Sequence, residues 1–347
     1  MSAPRPLGST YRLQLAGLGF AGARRLVGYL DDVGIETLYL SPILRAVPGS
    51  THGYDVVDPT SLDPSLGSLE EFEALLEELD AHHMRVLLDI VPNHMACDAR
   101  NEWWWDTLRH GLSSPYAATF DIDWARLANR VLIPSLSAPL ADLVESATWE
   151  LGPQGPLISV DAKTYPLASE PTASETAQGI LERQNYRLAY WRLSAHERNY
   201  RRFFDIDGLV GIQVERDEVF VRTHQFIAQI SDDERVAGWR VDHVDGLRFP
   251  HQYLGRLSEL QLPERQSSPV ILVEKIVAED ERIPESWPIA GTTGYEFMSH
   301  ASGLLVDPVG YLAIATLGEQ LGGSVVFSEL GLAAKREVIA SSFPGEL

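Results

Sequence analysis

The hydrophobic and polar positions of the chain alternate between short apolar runs and longer segments with helical spacing. The clearest short runs are Thr10–Leu15, Thr37–Ser41, Arg85–Val91, Gly238–His243 and Val270–Ile276. Helical intervals between the runs include Ala21–Val33 and Leu69–His82,. The second interval predicts one apolar helix face, formed by Leu69, Phe72, Leu75, Leu76 and Leu79,. Strands that alternate with helices are typical of a parallel sheet, so the pattern predicts an α/β fold of the (β/α) barrel type.

A long interval separates the third and fourth predicted strands, from about Met95 to Val236. Its middle part, Ser135–Ser174, is rich in Pro, Ser, Ala and Gly and has no sustained period. Structureless loops of this length are uncommon in compact domains, so the interval predicts an inserted subdomain. We therefore expect three parts: the first barrel segment at 1–94, a subdomain over the barrel mouth at 95–236, and the second barrel segment at 237–347.

Charge and cysteine content narrow the possible partners. The 347 residues carry 28 Lys and Arg against 49 Asp and Glu, a formal net charge of -21. The electrostatic field of this negative charge repels polyanions, so we expect neither nucleic acid nor a membrane as a partner. The field neither attracts nor repels a neutral sugar. Residues 1–8 lack a signal-peptide pattern, and no apolar run approaches the roughly 18 residues of a membrane span. With the single cysteine, Cys97, these features predict a cytoplasmic protein without cofactor or metal,.

Two acidic residues end neighbouring predicted strands. In the run GWRVDH, the period of two places Arg240 and Asp242 on one side of the strand and His243 on the other,. We expect the arginine to keep the aspartate ionised, as a nucleophile requires. The next strand ends on Glu274, followed by Lys275. Carboxylates at matching heights on adjacent strands, roughly 4.8 Å apart, predict a retaining glycosidase mechanism with Asp242 as nucleophile and Glu274 as general acid/base.

Further polar residues are expected at the same rim. The third strand is followed by Asn93 and His94 and contains Asp89, which we expect to orient its polar neighbours. The loop after the second strand contributes candidate sugar contacts from His52, Tyr54 and Asp55, and Tyr54 offers a flat stacking face,. The tryptophans at 103–105 are additional stacking candidates or simple core residues.

Each of these residues also has a structural interpretation. A single aspartate at a strand end is commonly a turn former or a helix cap, and Glu274 with Lys275 alone could be a surface pair. The coincidence favours function, because three strands in order each end with charged or amide groups at the same end of the predicted barrel.

Several longer strings resemble the α-amylase family of glycoside hydrolases. They are DIVPNH at 89–94, GWRVDH at 238–243 and VEK at 273–275. Within that family the chain is most similar to the branch of maltooligosyl trehalose synthases. That likeness rests on STYRLQL at 9–15, LYLSPIL at 38–44, PGSTHGYDVVD at 48–58, YRRFFDI at 200–206 and AGTTGY at 290–295.

The resemblance implies an activity and a set of site residues. The activity is an intramolecular transglycosylation that converts the reducing-end α-1,4 linkage of a maltooligosaccharide into an α,α-1,1 linkage, as in trehalose. Asp242 is implied as nucleophile and Glu274 as acid/base. The sugar contacts implied are Tyr54, Asn93, His94, Arg240 and His243, beside the candidates His52, Asp55 and Lys275.

The chain also departs from the family pattern. The family's third acid follows a histidine on the seventh barrel strand, and neither Asp280 nor Asp307 has that context. Gln213 stands where the family pattern has arginine. The sequence predicts about six of the eight strands of a TIM-type barrel, hence low solubility and activity or a complementary carboxyl-terminal polypeptide as partner. An α-1,4-glucan hydrolase and an inactive glucan-binding fragment remain alternative interpretations.

Overall fold

The computed structural model describes residues 4–260, 267–278, 280–322 and 326–345. Sixteen strands lie in these ranges: β1 Thr10–Leu13, β2 Thr37–Leu40, β3 Leu44–Ala46, β4 Val56–Leu62, β5 Arg85–Ile90, β6 His94–Ala96, β7 Val131–Leu136, β8 Thr148–Gly152, β9 Gly155–Val160, β10 Lys163–Pro166, β11 Tyr186–Tyr190, β12 Arg202–Phe203, β13 Ile206–Gly211, β14 Val236–Val241, β15 Val270–Val273 and β16 Gly291–Thr292.

The α-helices of the same ranges are α1 Gly19–Arg24, α2 Val27–Asp32, α3 Leu69–Ala81, α4 Glu102–His110, α5 Leu140–Leu143, α6 Ala177–Glu182, α7 Ser194–Glu197, α8 Asp217–Thr223, α9 Gln225–Ile230, α10 Pro250–Glu259, α11 Tyr295–Gly303, α12 Pro308–Gly322 and α13 Phe327–Ser342. Single 3-10 turns lie at Gly111–Ser113, Ala125–Leu127, Val144–Ser146, Trp191–Leu193 and Val244–Gly246.

Six parallel strands form the central sheet, in the order β1-β2-β5-β14-β15-β16. Five of them coincide with the five predicted runs. The sheet curls like part of a barrel and is open, with β1 and β16 at its edges among the described residues. The predicted incomplete barrel is therefore confirmed, and the long insertion connects its third and fourth strands, β5 and β14.

The predicted helix at 69–82 is confirmed as α3, with a correction to its apolar face. Ser68 caps its first turn and accepts a hydrogen bond from the Glu71 N–H, while the Glu71 carboxylate accepts one from the Ser68 N–H,. Phe72, Leu75, Leu76 and Leu79 are buried, but Leu69 is half exposed because it lies in the first turn, beside the cap. The predicted helix at 21–33 is two short helices, α1 and α2.

The buried apolar residues of the described chain include two hydrophobic cores. The first core packs the central sheet against α3 and α10 and includes Trp239. The second core draws its residues from Met95 to Ile212, within the predicted insertion. Phe220 and Phe226 of α8 and α9, near the end of that interval, belong to the first core. The three-part division of the chain stays a prediction, and these contacts connect its second and third parts.

The three helices after β16 contribute no buried side chain to either core. Many of their apolar residues are exposed, and Leu304 and Leu305, which lie between α11 and α12, are 88% and 90% exposed. No single described helix is long and apolar enough to cross a membrane; α11 and α12 together meet that criterion by length and composition, with a 92° bend between them.

Candidate active site

The register of the central sheet brings the charged residues of three strands to one level. Arg240 in β14 is paired with Asp89 in β5 on one side and with Leu272 in β15 on the other. Asp242 and Glu274 each lie directly after their strands, and the Glu274 N–H donates to the Val241 carbonyl at 2.9 Å. A Cβ atom at Gly238 would lie 1.9 Å from the Val270 carbonyl oxygen, so this close strand pairing requires glycine,.

Arg240 is the centre of the charge cluster. Its Nη1 donates to Asp89 Oδ1 and to Asp242 Oδ1, both at 2.7 Å, and its Nη2 lies 3.2 Å from Glu274 Oε1. Burial opposes its charge, but the neighbouring carboxylates, Asp89 first, outweigh burial and raise the pKa of Arg240,. One buried guanidinium therefore holds both candidate catalytic carboxylates.

Asp89 accepts hydrogen bonds from four side chains. Besides Arg240, it accepts hydrogen bonds at Oδ2 from Arg12 Nη1 at 2.9 Å, the Tyr54 hydroxyl at 2.7 Å and the Tyr39 hydroxyl at 3.1 Å. Its side chain is completely buried. Because all its partners lie on other strands or loops, Asp89 fixes the positions of Arg240 and Tyr54 relative to each other. These contacts agree with the expectation that Asp89 orients its polar neighbours, and its role stays a prediction.

The protonation of Asp242 requires a correction to the sequence interpretation. The Arg240 contact was expected to keep the Asp242 carboxylate ionised. Burial disfavours that carboxylate more than Arg240 favours it, and the negative charges of Asp89 and Glu274 add to the effect, so the pKa of Asp242 rises to about 7,. Two guanidinium groups, those of Arg12 and Arg240, face three carboxylates here, so Asp242 takes up a proton as the pH falls through about 7.

The pKa of Glu274 shifts in the opposite direction, below its ordinary value. Burial again opposes its carboxylate, but the Arg240 charge and the hydrogen bonds from the His243 N–H and the Tyr295 hydroxyl outweigh burial and lower the pKa of Glu274. Its side chain is 24% exposed, against 8% for Asp242. Of the two carboxylates, Asp242 therefore has the higher pKa and Glu274 the lower one.

A cavity of about 620 Å³ opens above these carboxylates. Seven of the predicted site residues line it, namely His52, Tyr54, Asp55, His94, Arg240, Asp242 and Glu274. Its other wall is more apolar and comes from the insertion, with Phe203, Ile206 and Leu209. Burial lowers the pKa of His94 to about 3, so its ring is neutral in the site,. The cavity combines polar and apolar faces, as a sugar ring requires.

Three predicted site residues have other contacts. Asn93 accepts a hydrogen bond from Arg201 Nη1 at 2.6 Å. The Lys275 ammonium binds Asp245 at 2.8 Å and Glu281 at 2.7 Å. His243 adopts a left-handed backbone conformation with φ of 47°, which ends the strand alternation and places its ring 4.9 Å from those of Phe203 and Phe204. The lining of the cavity does not include these three residues.

Several residues that contact the site were not singled out individually in the sequence. They are Arg12, Tyr39, Arg201, Phe203, Phe204 and Tyr295. All six lie within strings that resemble the synthase branch, so that resemblance was the available signal. Trp104 is core, with its ring 5.1 Å from that of Phe120. In the described part of the chain, no group of three or more His, Cys, Asp or Glu side chains could hold a metal ion.

Comparisons with known proteins agree with this geometry. The family model for the alpha amylase catalytic domain matches residues 19–269. A Mycobacterium tuberculosis protein named "Putative maltooligosyl trehalose synthase" is 40% identical over 325 residues, which cover 91% of this chain and 41% of that protein. The intracellular maltogenic amylase of Bacillus subtilis is 38% identical over 94 residues, covering 27% of this chain and 15% of that enzyme.

Among solved structures, the maltooligosyltrehalose synthase of Arthrobacter ramosus superimposes with a TM-score of 0.87 at 39% identity, covering 96% of this chain and 43% of that one. The chain thus spans about two-fifths of the length of the synthases that it matches. The matched family model, the six-stranded parallel sheet and the residues at its rim together show that this chain belongs to the α-amylase family.

Proposed function

We propose that the chain carries the catalytic carboxylates of an isomerase that acts on α-1,4-glucans by intramolecular transglycosylation. The observation that carries the proposal is the Arg240 guanidinium, which binds Asp242 and Glu274 at the base of one cavity. The similarity to the maltooligosyl trehalose synthases supports the particular reaction, conversion of the reducing-end α-1,4 linkage into an α,α-1,1 linkage.

The reaction would proceed in two displacements with retention. Glu274 donates a proton to the oxygen of the terminal linkage while an Asp242 oxygen attacks the anomeric carbon, giving a glycosyl-enzyme and a free glucose. The glucose then reorients in the cavity. Its anomeric hydroxyl attacks the glycosyl-enzyme, Glu274 removes the proton, and the Asp242 carboxylate is released.

Side chains of the cavity wall would hold the glucose between the two steps. His52, Tyr54, Asp55 and His94 supply polar edges and a ring face on one side,. Phe203, Ile206 and Leu209 of the insertion close the other side with apolar groups. Exclusion of water by this wall would favour the glucose over water as the second nucleophile. Asn93 and His243 would act as supports, because the Asn93 amide nitrogen lies 3.4 Å from His94 Nδ1 and the His243 N–H donates to Glu274. Lys275 would hold the segment next to Glu274 through its ion pairs with Asp245 and Glu281.

The protonation of the two carboxylates sets a condition on this mechanism. The reactive form needs an ionised Asp242 and a protonated Glu274, whereas the pKa of Asp242 is raised and that of Glu274 is lowered. Sugar binding would shield Glu274 from water and raise its proton affinity, since desolvation disfavours the carboxylate. The proton would then be held by Glu274 when the leaving oxygen arrives.

The activity is tested by following reducing ends and free glucose over time with maltopentaose or maltohexaose. We expect reducing ends to fall without release of glucose, and Asp242→Asn to abolish the fall. Asp142→Asn, an exposed carboxylate of α5 in the insertion, is the matched control and should leave the rate unchanged. A rise in reducing ends would mean that water is the acceptor. No change, either with the parent chain alone or with the chain co-expressed with the carboxyl-terminal part of a maltooligosyl trehalose synthase, would contradict the proposal.

We further propose a complementary carboxyl-terminal polypeptide as a partner. The open edge strand β16 and the exposed apolar residues of α11–α13 support it, because soluble monomers rarely expose apolar patches of this extent,. We also propose a cytoplasmic location, which the single cysteine supports,.

The partner proposal predicts that the isolated chain self-associates and binds a hydrophobic dye. Co-expression with the carboxyl-terminal part of a maltooligosyl trehalose synthase should give a stable complex and remove the dye signal. Light scattering and dye fluorescence measure both effects. A monomeric chain with a cooperative melt and no dye binding would contradict this expectation.

A further inference from the structure

A second cavity of about 440 Å³ lies beside the candidate active site. Cys97, Asp98 and Gly208 line both cavities, so the two share one wall. That wall follows the pairing of β6 with β13, beside which the Cys97 N–H donates to the Gly208 carbonyl at 2.8 Å. The second cavity is therefore next to the catalytic carboxylates but belongs to the insertion.

The apolar part of the second cavity has the character of a sugar platform. Trp105 and Leu108 reach it from helix α4, and Ile133 and Pro134 reach it from β7. Trp104, on the same helix, is buried in the second core, while its neighbour Trp105 stays partly accessible at the cavity. An accessible indole offers a flat apolar surface to the carbon-bound hydrogens of a pyranose ring.

The polar part surrounds this platform with fixed donors and acceptors. The Tyr165 hydroxyl lies 2.6 Å from Ser135 Oγ, and Lys163 Nζ donates to the Ser135 carbonyl at 2.7 Å. An ammonium group has three N–H donors, so Lys163 keeps hydrogen-bonding capacity for a ligand. Asp98 and Asp207 also line this cavity, and both are ion-paired, Asp98 with Arg100 and Asp207 with Arg198 and Arg202. The hydroxyl, ammonium and carboxylate groups of the lining suit the hydroxyl groups of a neutral ligand.

We propose that the second cavity binds a further glucosyl segment of the same α-1,4-glucan chain, away from the linkage that is cleaved. The inference rests on the proposed function. Trp105 would stack on the sugar ring, and Lys163 and Tyr165 would bind its hydroxyl groups. Because the two cavities adjoin, a long oligosaccharide that passes around the β6–β13 wall would occupy both, whereas maltose would occupy only the catalytic cavity. Affinity should then rise with chain length.

The test compares calorimetric binding of maltose and maltoheptaose to the full chain carrying Asp242→Asn, which prevents turnover. Trp105→Leu should weaken maltoheptaose binding about tenfold and leave maltose unchanged, because it removes the stacking face but keeps apolar volume. Ala99→Trp, at the exposed mouth of the second cavity, should give the same selective loss without altering the core. Trp191→Leu, an exposed tryptophan outside both cavities, is the matched control.

The outcomes separate this inference from the proposed function. Selective loss of the chain-length effect in both cavity variants supports the second site. If maltoheptaose binds no better than maltose to the starting protein, or equally well to both variants, the second site is refuted while the catalytic proposal stands. If neither sugar binds the starting protein, the proposed function fails and the second site with it.

Discussion

Replacing Arg240 by methionine should destabilise the fold by about 3–5 kcal/mol at pH 8 and lower kcat/KM at least about a thousandfold. Arg240 contacts Asp89, Asp242 and Glu274, and its side chain is 8% exposed. Its removal leaves buried carboxylates with less compensating charge, and both candidate catalytic groups lose the donor that positions them. Chemical denaturation and initial rates measure the two effects.

Arg12→Met is the matched comparison, because Arg12 binds the same Asp89 from the other side. Its side chain is 36% exposed, so solvent screens the contact and the expected cost is about 1 kcal/mol or less,. The loss at Arg240 should shrink near pH 5, where Asp242 is already protonated. If Arg240→Met and Arg12→Met lower the free energy of unfolding equally, burial does not decide how much each arginine contributes to stability.

The strands could be predicted because their signals are local. Apolar runs and the period of two located β5, β14 and β15, and the same period put Arg240 and Asp242 on one side of their strand,. The adjacency of β14 and β15 followed from their order along the chain. Consequently the central pair of the candidate site, Asp242 and Glu274, could be proposed from the sequence alone.

The residues that the sequence did not reveal depend on contacts between distant segments. Arg12 meets Asp89 across 77 positions, and Arg201 meets Asn93 across 108. The insertion closes one side of the cavity with Phe203, although its composition in 135–174 gave no sustained period. The alternation of side chains along a strand did not predict the orientation of His243. Its left-handed backbone conformation depends on the turn that follows the strand,.

The protonation state of Asp242 could not be predicted from the spacing of residues in the sequence. It depends on burial and on the charges of Arg240, Asp89 and Glu274 together. An arginine beside an aspartate suggested an ionised Asp242, but Arg240 also serves Asp89 and Glu274. Burial then decides the balance, and burial is a property of the folded sheet. A site that holds surplus negative charge gives up stability for a carboxylate ready to attack an electrophilic carbon.

Asp242→Asn should therefore stabilise the protein, by an amount that grows as the pH rises from 4 to 8. A pKa raised in the folded state from its ordinary value of 3.8 to about 7 contributes stability below 3.8 that is lost as the pH rises through 7,. Asparagine carries no such charge at pH 8, so the gain there should reach about 2–4 kcal/mol. Thermal or urea unfolding at several pH values measures it.

Glu274→Gln is the control for this prediction, and its effect should have the opposite sign. A pKa lowered in the folded state contributes stability above the ordinary value of 4.5 that is lost as the pH falls, so removal of this carboxylate destabilises the protein at pH 8 by about 1 kcal/mol,. If Asp242→Asn instead destabilises at pH 8 while Glu274→Gln stabilises, Glu274 and not Asp242 has the raised pKa. Glu274 would then be protonated before the substrate binds, and no proton transfer from Asp242 to Glu274 would precede the first displacement.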